Sequence, residues 1–259
     1  MKINVHGGHN RKVPGIISYL DEVTEDRKIT KEVVSLLKGA GNTVYNCTDD
    51  SGRTQTGILK NICKKCNAHK VDFDVSFHLN GIKKSKKDGK NKGVEIWLYD
   101  KNSKAKAAAQ RVLKELAELG FTNRGIKYSK SLYFLRNTKN PSMLVEVCFA
   151  DDEDDVILYK KLGANKISKA IAEGLINKKI AAGTKPESSP KPVSKEFKVK
   201  TNTKMTVRER PGVTSKKVMT APIGVYTITE TKYVGKTPWG RLKGGAGWMS
   251  IHSKYCKRL

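Results

Sequence analysis

No run of about 18 apolar residues occurs in this 259-residue chain, so it offers no candidate transmembrane helix. The opening segment, MKINVHGGHN, turns polar early and has no apolar stretch behind it, so no secretory signal peptide is expected. Cysteine is sparse: Cys47, Cys63, Cys66, Cys148 and Cys256 are spread widely. An odd count without a leader argues against a disulfide framework and for synthesis in a reducing compartment. The local signatures HExxH, GxSxG, the phosphate-cradling GxxxxGK[ST] and the dinucleotide-binding glycine pattern are all missing. Any chemistry must therefore come from residues scattered along the chain.

Acidic residues are also in short supply. Lys and Arg number 51 against 25 Asp and Glu, a net charge of +26. Residues 191–259 hold half of that excess, with 16 basic and 3 acidic side chains. Such a balance predicts an anionic partner: nucleic acid, an acidic membrane surface, or a polymer such as teichoic acid. Charge alone does not choose among them. Hydrophobic residues make up 37% and charged residues 29%, which is polar. The apolar runs are nonetheless well formed, and a folded chain is expected.

The segment from Ala181 to Ser194, AAGTKPESSPKPVS, holds Pro186, Pro190 and Pro192 and no apolar period. It reads as a linker between a domain at 1–180 and one at 195–259. Before it, strands alternate with helices. Strands are expected at 2–6, 42–46, 73–80, 93–100, 131–135 and 142–149. Helices are expected at 26–38, 54–68 and 103–119, with one or two over 151–177. This order implies an α/β fold, a twisted and mostly parallel sheet with helices on both faces. After the linker come short β-prone pieces separated by turns such as RPGVT and KGGAG, the pattern of a small all-β barrel.

His9 follows the first strand, and His78 lies near the end of the third. Glu146 sits inside the apolar strand SMLVEVCF, where an unpaired carboxylate needs a partner or a raised pKa. Strand ends gathered at one sheet edge would bring the three together. A carboxylate from the loop after His9 would complete a His/Glu/His zinc site with an open position for water. On residues alone, hydrogen-bonded structural histidines and a half-exposed Glu146 are the favoured reading over a zinc site. His6, within its strand, reads as core. Cys63-Lys-Lys-Cys66 lacks the second pair a zinc cage needs and reads as two ordinary thiols. DDEDD at 151–155 lacks the glycine and spacing of a calcium loop and reads as a helix N-terminus. KKSKKDGKNK at 83–92 reads as a solvated loop near the mouth of the site, able to touch anionic wall polymer.

GGHN, ISYLDEVTEDRK (17–28), NAHKVDFDVSFHLN (67–80) and NRGIKYSKSLYFLRNTKNPSMLVEVCFADDEDD (123–155) closely resemble the zinc-dependent N-acetylmuramoyl-L-alanine amidases. The likeness is strongest to endolysins of phages that infect Gram-positive bacteria, and it covers nearly all of residues 1–180. It implies one zinc ion on His9, Glu22 and His78, with Glu146 as the catalytic base. Glu25 lies near Glu22, but counting back from Gly41 favours Glu22 as the ligand and leaves Glu25 to cap the helix. The implied reaction is hydrolysis of the amide between N-acetylmuramic acid and L-alanine by activated water. A zinc peptidase acting on the stem peptide is the rival enzyme; a basic nucleic-acid-binding protein is the rival of another class, and it leaves Glu146 unexplained.

MTVRERPG (205–212), WGRLK (239–243) and GWMSIHSKYCKRL (247–259) resemble the bacterial SH3-like barrels that bind cell walls. Thr206 and Arg210 depart from that pattern. Tyr226, Tyr233, Trp239 and Tyr255 are the candidate wall-binding residues, while Trp248 is expected in the core. The partners implied are peptidoglycan and an anionic wall polymer, without nucleic acid or membrane insertion. A chain with no leader fits a phage product made in the host cytoplasm and released to the wall at lysis.

Overall fold

Alternation of apolar side chains builds the central sheet of the larger unit. The computed structural model describes residues 1–181, 196–234 and 237–259; the linker expected at 181–194 lies outside them except for Ala181. Two compact units divide the chain, residues 1–187 and 188–259.

In the first unit the elements are β1 (Lys2–Gly7), α1 (Glu22–Gly39), β2 (Thr43–Asn46), α2 (Gln55–Asn67), β3 (Phe73–Asn80), β4 (Val94–Leu98), α3 (Lys106–Ala117), β5 (Asn123–Tyr128), α4 (Tyr133–Asn137), β6 (Ser142–Phe149) and α5 (Glu153–Ile176). The strand order is β2-β1-β3-β6-β4-β5. All neighbours pair parallel except β4 with β6. Period-two alternation sends Ile3, Val5, Val75, Phe77, Met143 and Val145 into one large core with α1, α3 and α5. A smaller cluster on Leu144 holds residues of α2 and α4. Asn4, His6, Asp74, Ser76, His78 and Glu146 occupy the intervening strand positions, so this second face of the sheet is largely polar.

Three expectations change. The segment 131–135 is not a strand: Tyr133–Asn137 is the short helix α4. Leu132, Tyr133, Phe134 and Leu135 all pack into one cluster, whereas a strand would turn alternate residues away. Asn123–Tyr128, unassigned from sequence, is the edge strand β5, and its half-buried pattern hid it. Helix α1 starts at Glu22 rather than Asp26, because Asp21 caps it by accepting from Thr24 N at 2.7 Å. Helix α5 contains a kink at Gly163, whose φ of 74° suits glycine.

The second unit is a wholly antiparallel seven-stranded sheet in the order β13-β7-β10-β11-β12-β8-β9. Its strands are β7 (Phe197–Thr201), β8 (Met205–Arg208), β9 (Lys217–Ala221), β10 (Val225–Val234), β11 (Thr237–Leu242), β12 (Trp248–Ser250) and β13 (Cys256–Arg258). Val199, Val207, Ile228 and Met249 form its core.

Candidate metal centre and catalytic carboxylate

Register fixes the site. β3 runs parallel to β6 with His78 opposite Glu146, and β6 runs antiparallel to β4 with Glu146 opposite Glu95. Directly paired residues share a face, so His78, Glu146 and Glu95 form a row across three strands. β1 delivers the next component, since Gly8 N donates to Phe77 O at 3.1 Å just before His9. A Cβ on Gly8 would lie 1.8 Å from the His78 ring, so only glycine lets the chain pass. Asn10 then holds the turn. Its Oδ1 accepts from Lys12 N and Val13 N, and its Nδ2 donates to Gly52 O. The Arg27 guanidinium donates to the His9 carbonyl and pairs with Asp26 and Asp50, each at 2.7 Å.

Glu22 arrives from the first residue of α1, where the helix N-terminus favours a carboxylate. Its Oε2 accepts from Ile16 N at 2.8 Å and its Oε1 from Leu79 N at 3.1 Å. Oε1 lies 3.0 Å from His78 Nδ1 and 3.7 Å from His9 Nε2. The donor atoms of His9, Glu22 and His78 all lie within 4.8 Å of one another. Tetrahedral ligands about 2.1 Å from zinc are roughly 3.4 Å apart, so this spacing suits one such ion. Two imidazoles and one carboxylate are also a borderline-soft set of the kind zinc takes.

The electrostatics agree with a place for positive charge. Burial opposes ionisation of Glu22, but the hydrogen bond and charge of His78 outweigh it and lower its pKa. Burial likewise works against a charged His78, yet Glu22 and Glu146 overcome it and raise its pKa to about 9. His9 is lowered, by burial first and then by His78. Glu25 takes no part. It pairs with Lys28 at 2.7 Å and accepts from the buried Tyr159 hydroxyl at 3.0 Å, and the expected cap is Asp21 instead.

Like Asp26 at Oδ2, Glu146 has a buried oxygen, Oε2, without a hydrogen-bond partner among the described residues. Burial, reinforced by Glu22 and Glu95 and opposed by His78, pushes its pKa up to about 7. Glu95 is buried too, but satisfied. Its Oε1 accepts from Asn80 Nδ2 at 2.9 Å and Trp97 Nε1 at 3.1 Å, and its Oε2 from Arg124 Nε at 2.8 Å. Sequence reasoning missed Glu95, although it carries the same signal as Glu146, an acid inside an apolar strand. It also missed Arg27.

The other singled-out residues fall elsewhere. His6 is buried, packs edge-on to Phe134 at 4.6 Å, and has its pKa lowered by burial to about 3. Cys63 and Cys66 are free thiols in the smaller apolar cluster. In the second unit, Trp239 is 3% exposed and Trp248 6%, so neither ring offers much surface. Tyr226 bonds Pro222 O and packs on the core with Tyr255, whereas Tyr233 is 71% exposed.

Residues 3–177 match the family profile described as N-acetylmuramoyl-L-alanine amidase. An uncharacterized protein of Clostridium perfringens is 34% identical over 79% of this chain, which spans only 60% of that relative's length. The endolysin of Bacillus phage SPP1 is 29% identical over 88% of this chain and 87% of its own. Among solved structures, the catalytic domain of the CD27L endolysin targeting Clostridia difficile superposes with a TM-score of 0.61. That match is 28% identical and covers 70% of this chain and 99% of the other.

Proposed function

This chain belongs to the N-acetylmuramoyl-L-alanine amidase family, and from that premise we propose that it is a zinc-dependent peptidoglycan hydrolase of the endolysin type. The bond cut is the amide between the lactyl group of N-acetylmuramic acid and L-alanine. One observation carries the reading: His9, Glu22 and His78 converge on one point, and Glu146, with an unpartnered buried oxygen, stands next to His78 in register. A zinc ion held by those three residues would supply the positive charge that polarises the scissile carbonyl and acidifies water.

The chain's own residues do the rest. Leu79 N and Ile16 N fix both oxygens of Glu22, so the carboxylate is oriented before any ligand arrives. Arg27 and Asn10 hold the backbone on either side of the His9 carbonyl. Glu146 accepts a proton from the attacking water at its free oxygen and returns it to the nitrogen of departing alanine. Burial in an apolar strand works to raise the pKa of Glu146, which helps it to hold the proton between the two transfers. The second unit is read as the wall-binding module, on the strength of its basic excess and the exposed Tyr233.

Product analysis tests the reading. Purified peptidoglycan treated with the full chain should yield new alanine α-amines and free lactyl carboxylates, and a chelator should stop their release. New amines on other stem-peptide residues would mark a peptidase instead.

A further inference from the structure

The loop between β3 and β4 holds six lysines in ten residues, and its backbone is tied down by the acidic segment 151–155. Asp151 Oδ2 accepts from Ile82 N at 2.9 Å. Asp152 accepts from the Ser85 hydroxyl at 2.6 Å and pairs with Lys92 at 3.2 Å. Glu153 accepts from Lys87 N at 2.9 Å. Asp154 Oδ2 accepts from Asp88 N at 2.8 Å and Gly89 N at 2.9 Å. Asp155 accepts from Gly93 N at 2.9 Å. These five carboxylates are not gathered around one point as in a calcium loop; each reaches the loop, while Asp152 also caps its own helix through Asp155 N and Asp155 also accepts from Phe149 N. Lys83, Lys84, Lys86, Lys87 and Lys90 remain exposed, with no carboxylate partner among the described residues.

The loop borders the proposed site. It leaves β3 two residues after His78. Gly81 lies so close to Ile16 that a Cβ would come within 2.3 Å of its Cδ1, and Ile16 N is a donor to Glu22. The Lys84 ammonium sits 4.5 Å over the ring of Tyr19, three residues before Glu22. Solvated lysines on a mobile loop would lose backbone entropy on ordering. Here the backbone is already ordered, which is what preorganised binding requires.

We propose that this loop is a cationic rim that binds the free carboxylates of the substrate's stem peptide. The inference rests on the proposed amidase reading. In that substrate the N-acetylated sugars are neutral and the lactyl carboxyl is consumed in the scissile amide. Its negative charge therefore lies on the peptide, on glutamate and at the C-terminus, the kind of charge that unpaired ammoniums bordering the site would attract.

The test uses the full chain carrying Glu146→Gln, which slows turnover by about 100-fold or more, and measures calorimetric Kd for a soluble muramoyl-peptide at low salt. Adding Lys83→Gln, Lys84→Gln and Lys86→Gln should raise Kd about tenfold. A control with equal charge loss, Lys31→Gln with Lys160→Gln and Lys161→Gln on exposed helix positions, should leave it unchanged. Amidating the peptide carboxylates should weaken binding to the Glu146→Gln chain and abolish the difference between it and the loop variant. Unchanged melting temperatures would establish that the loop variant is folded. The proposal is overturned if the loop variant binds the free-carboxylate peptide as its parent does, if both peptide forms lose affinity alike, or if the loss appears only on walls bearing teichoic acid. Failure of the amidase reading shows separately, as absence of new alanine amines with Glu146 intact.

Discussion

Glu146 and Glu95 stand opposite each other across the antiparallel β4–β6 pair, yet among the described residues only Glu95 has donors for its oxygens. Arg124, Asn80 and Trp97 hold Glu95 as an acceptor, and its negative charge helps to raise the pKa of Glu146. Two acids opposite each other on the sheet thus have different surroundings: Glu95 is held by three donors, and Glu146 keeps a free oxygen. Glu146→Gln keeps the shape and removes the base. Hydrolysis should fall by about 100-fold or more while zinc, assayed by metal analysis, stays bound. Loss of the metal would make Glu146 a ligand.

Gly8 makes a stricter test of the metal centre, because the substitution adds one methyl group and no charge. Gly8→Ala would place a Cβ within 2 Å of the His78 ring and force that ring out of line with Glu22. Zinc content and activity should be lost together, with the melting temperature lowered by far less than global unfolding requires. A variant that still binds one zinc tightly would show that His78 is not held in the proposed position.

Glu22 and Glu25 differ in what they touch. Glu22→Ala should release zinc, since it removes the carboxylate between the two histidines. Glu25→Ala should keep zinc and cost about 1–2 kcal/mol of stability, because the buried Tyr159 hydroxyl loses its acceptor. Metal analysis and urea unfolding of the two variants separate the roles, and the reverse pattern would move the ligand to Glu25.

The larger unit was legible in outline because its strands are long apolar runs and its helices carry clear periods. Failure came where the period was short or mixed. LYFL in 132–135 is four apolar residues, which suit a strand and one helical turn alike; the packing of all four on one cluster settled it. β5 sits at the sheet edge, where half-exposed positions blur alternation. In the site, His9 and His78 could be placed at or near strand ends and Glu146 inside a strand, but their convergence depends on strand order, which no local pattern encodes. The role of 151–155 was invisible for the same reason: its partners lie some sixty to seventy residues earlier in the chain.

Asp155 gives the fold a pH dependence of stated sign. Burial, more than offsetting its bonds from Phe149 N and Gly93 N, pushes its pKa up to about 7. A carboxyl whose folded pKa exceeds its unfolded value stabilises most below the unfolded value, near 4, and that contribution is lost as pH rises through 7. Asp155→Asn removes the titration. The stability gap between parent and variant, from urea unfolding, should shrink between pH 4 and pH 8 by on the order of 4 kcal/mol. A gap that widens over that range would mean that Asp155 is held ionised.

Wall binding by the second unit should divide into two parts that salt can separate. Residues 191–259 carry 16 basic and 3 acidic side chains, so attraction to anionic wall polymer should dominate at low ionic strength. At about 0.5 M salt the screening length falls to roughly 4 Å, and most of that attraction should vanish. What persists should depend on Tyr233, the exposed ring among the aromatic candidates, because Trp239 is buried and Tyr226 and Tyr255 pack on the core. Sedimentation of purified walls with the full chain measures both parts. Tyr233→Ala should leave low-salt binding nearly intact and remove most of what remains at 0.5 M. A chain ending at residue 181 should bind walls much more weakly at low salt but cut soluble muropeptide at close to the full rate, since all four proposed site residues lie before that point and only local concentration is lost. Wall binding that is undiminished at 0.5 M salt would show that the charge excess does not drive it. Wall binding that survives deletion of the second unit would place targeting in the first, beside the loop of lysines at 83–92.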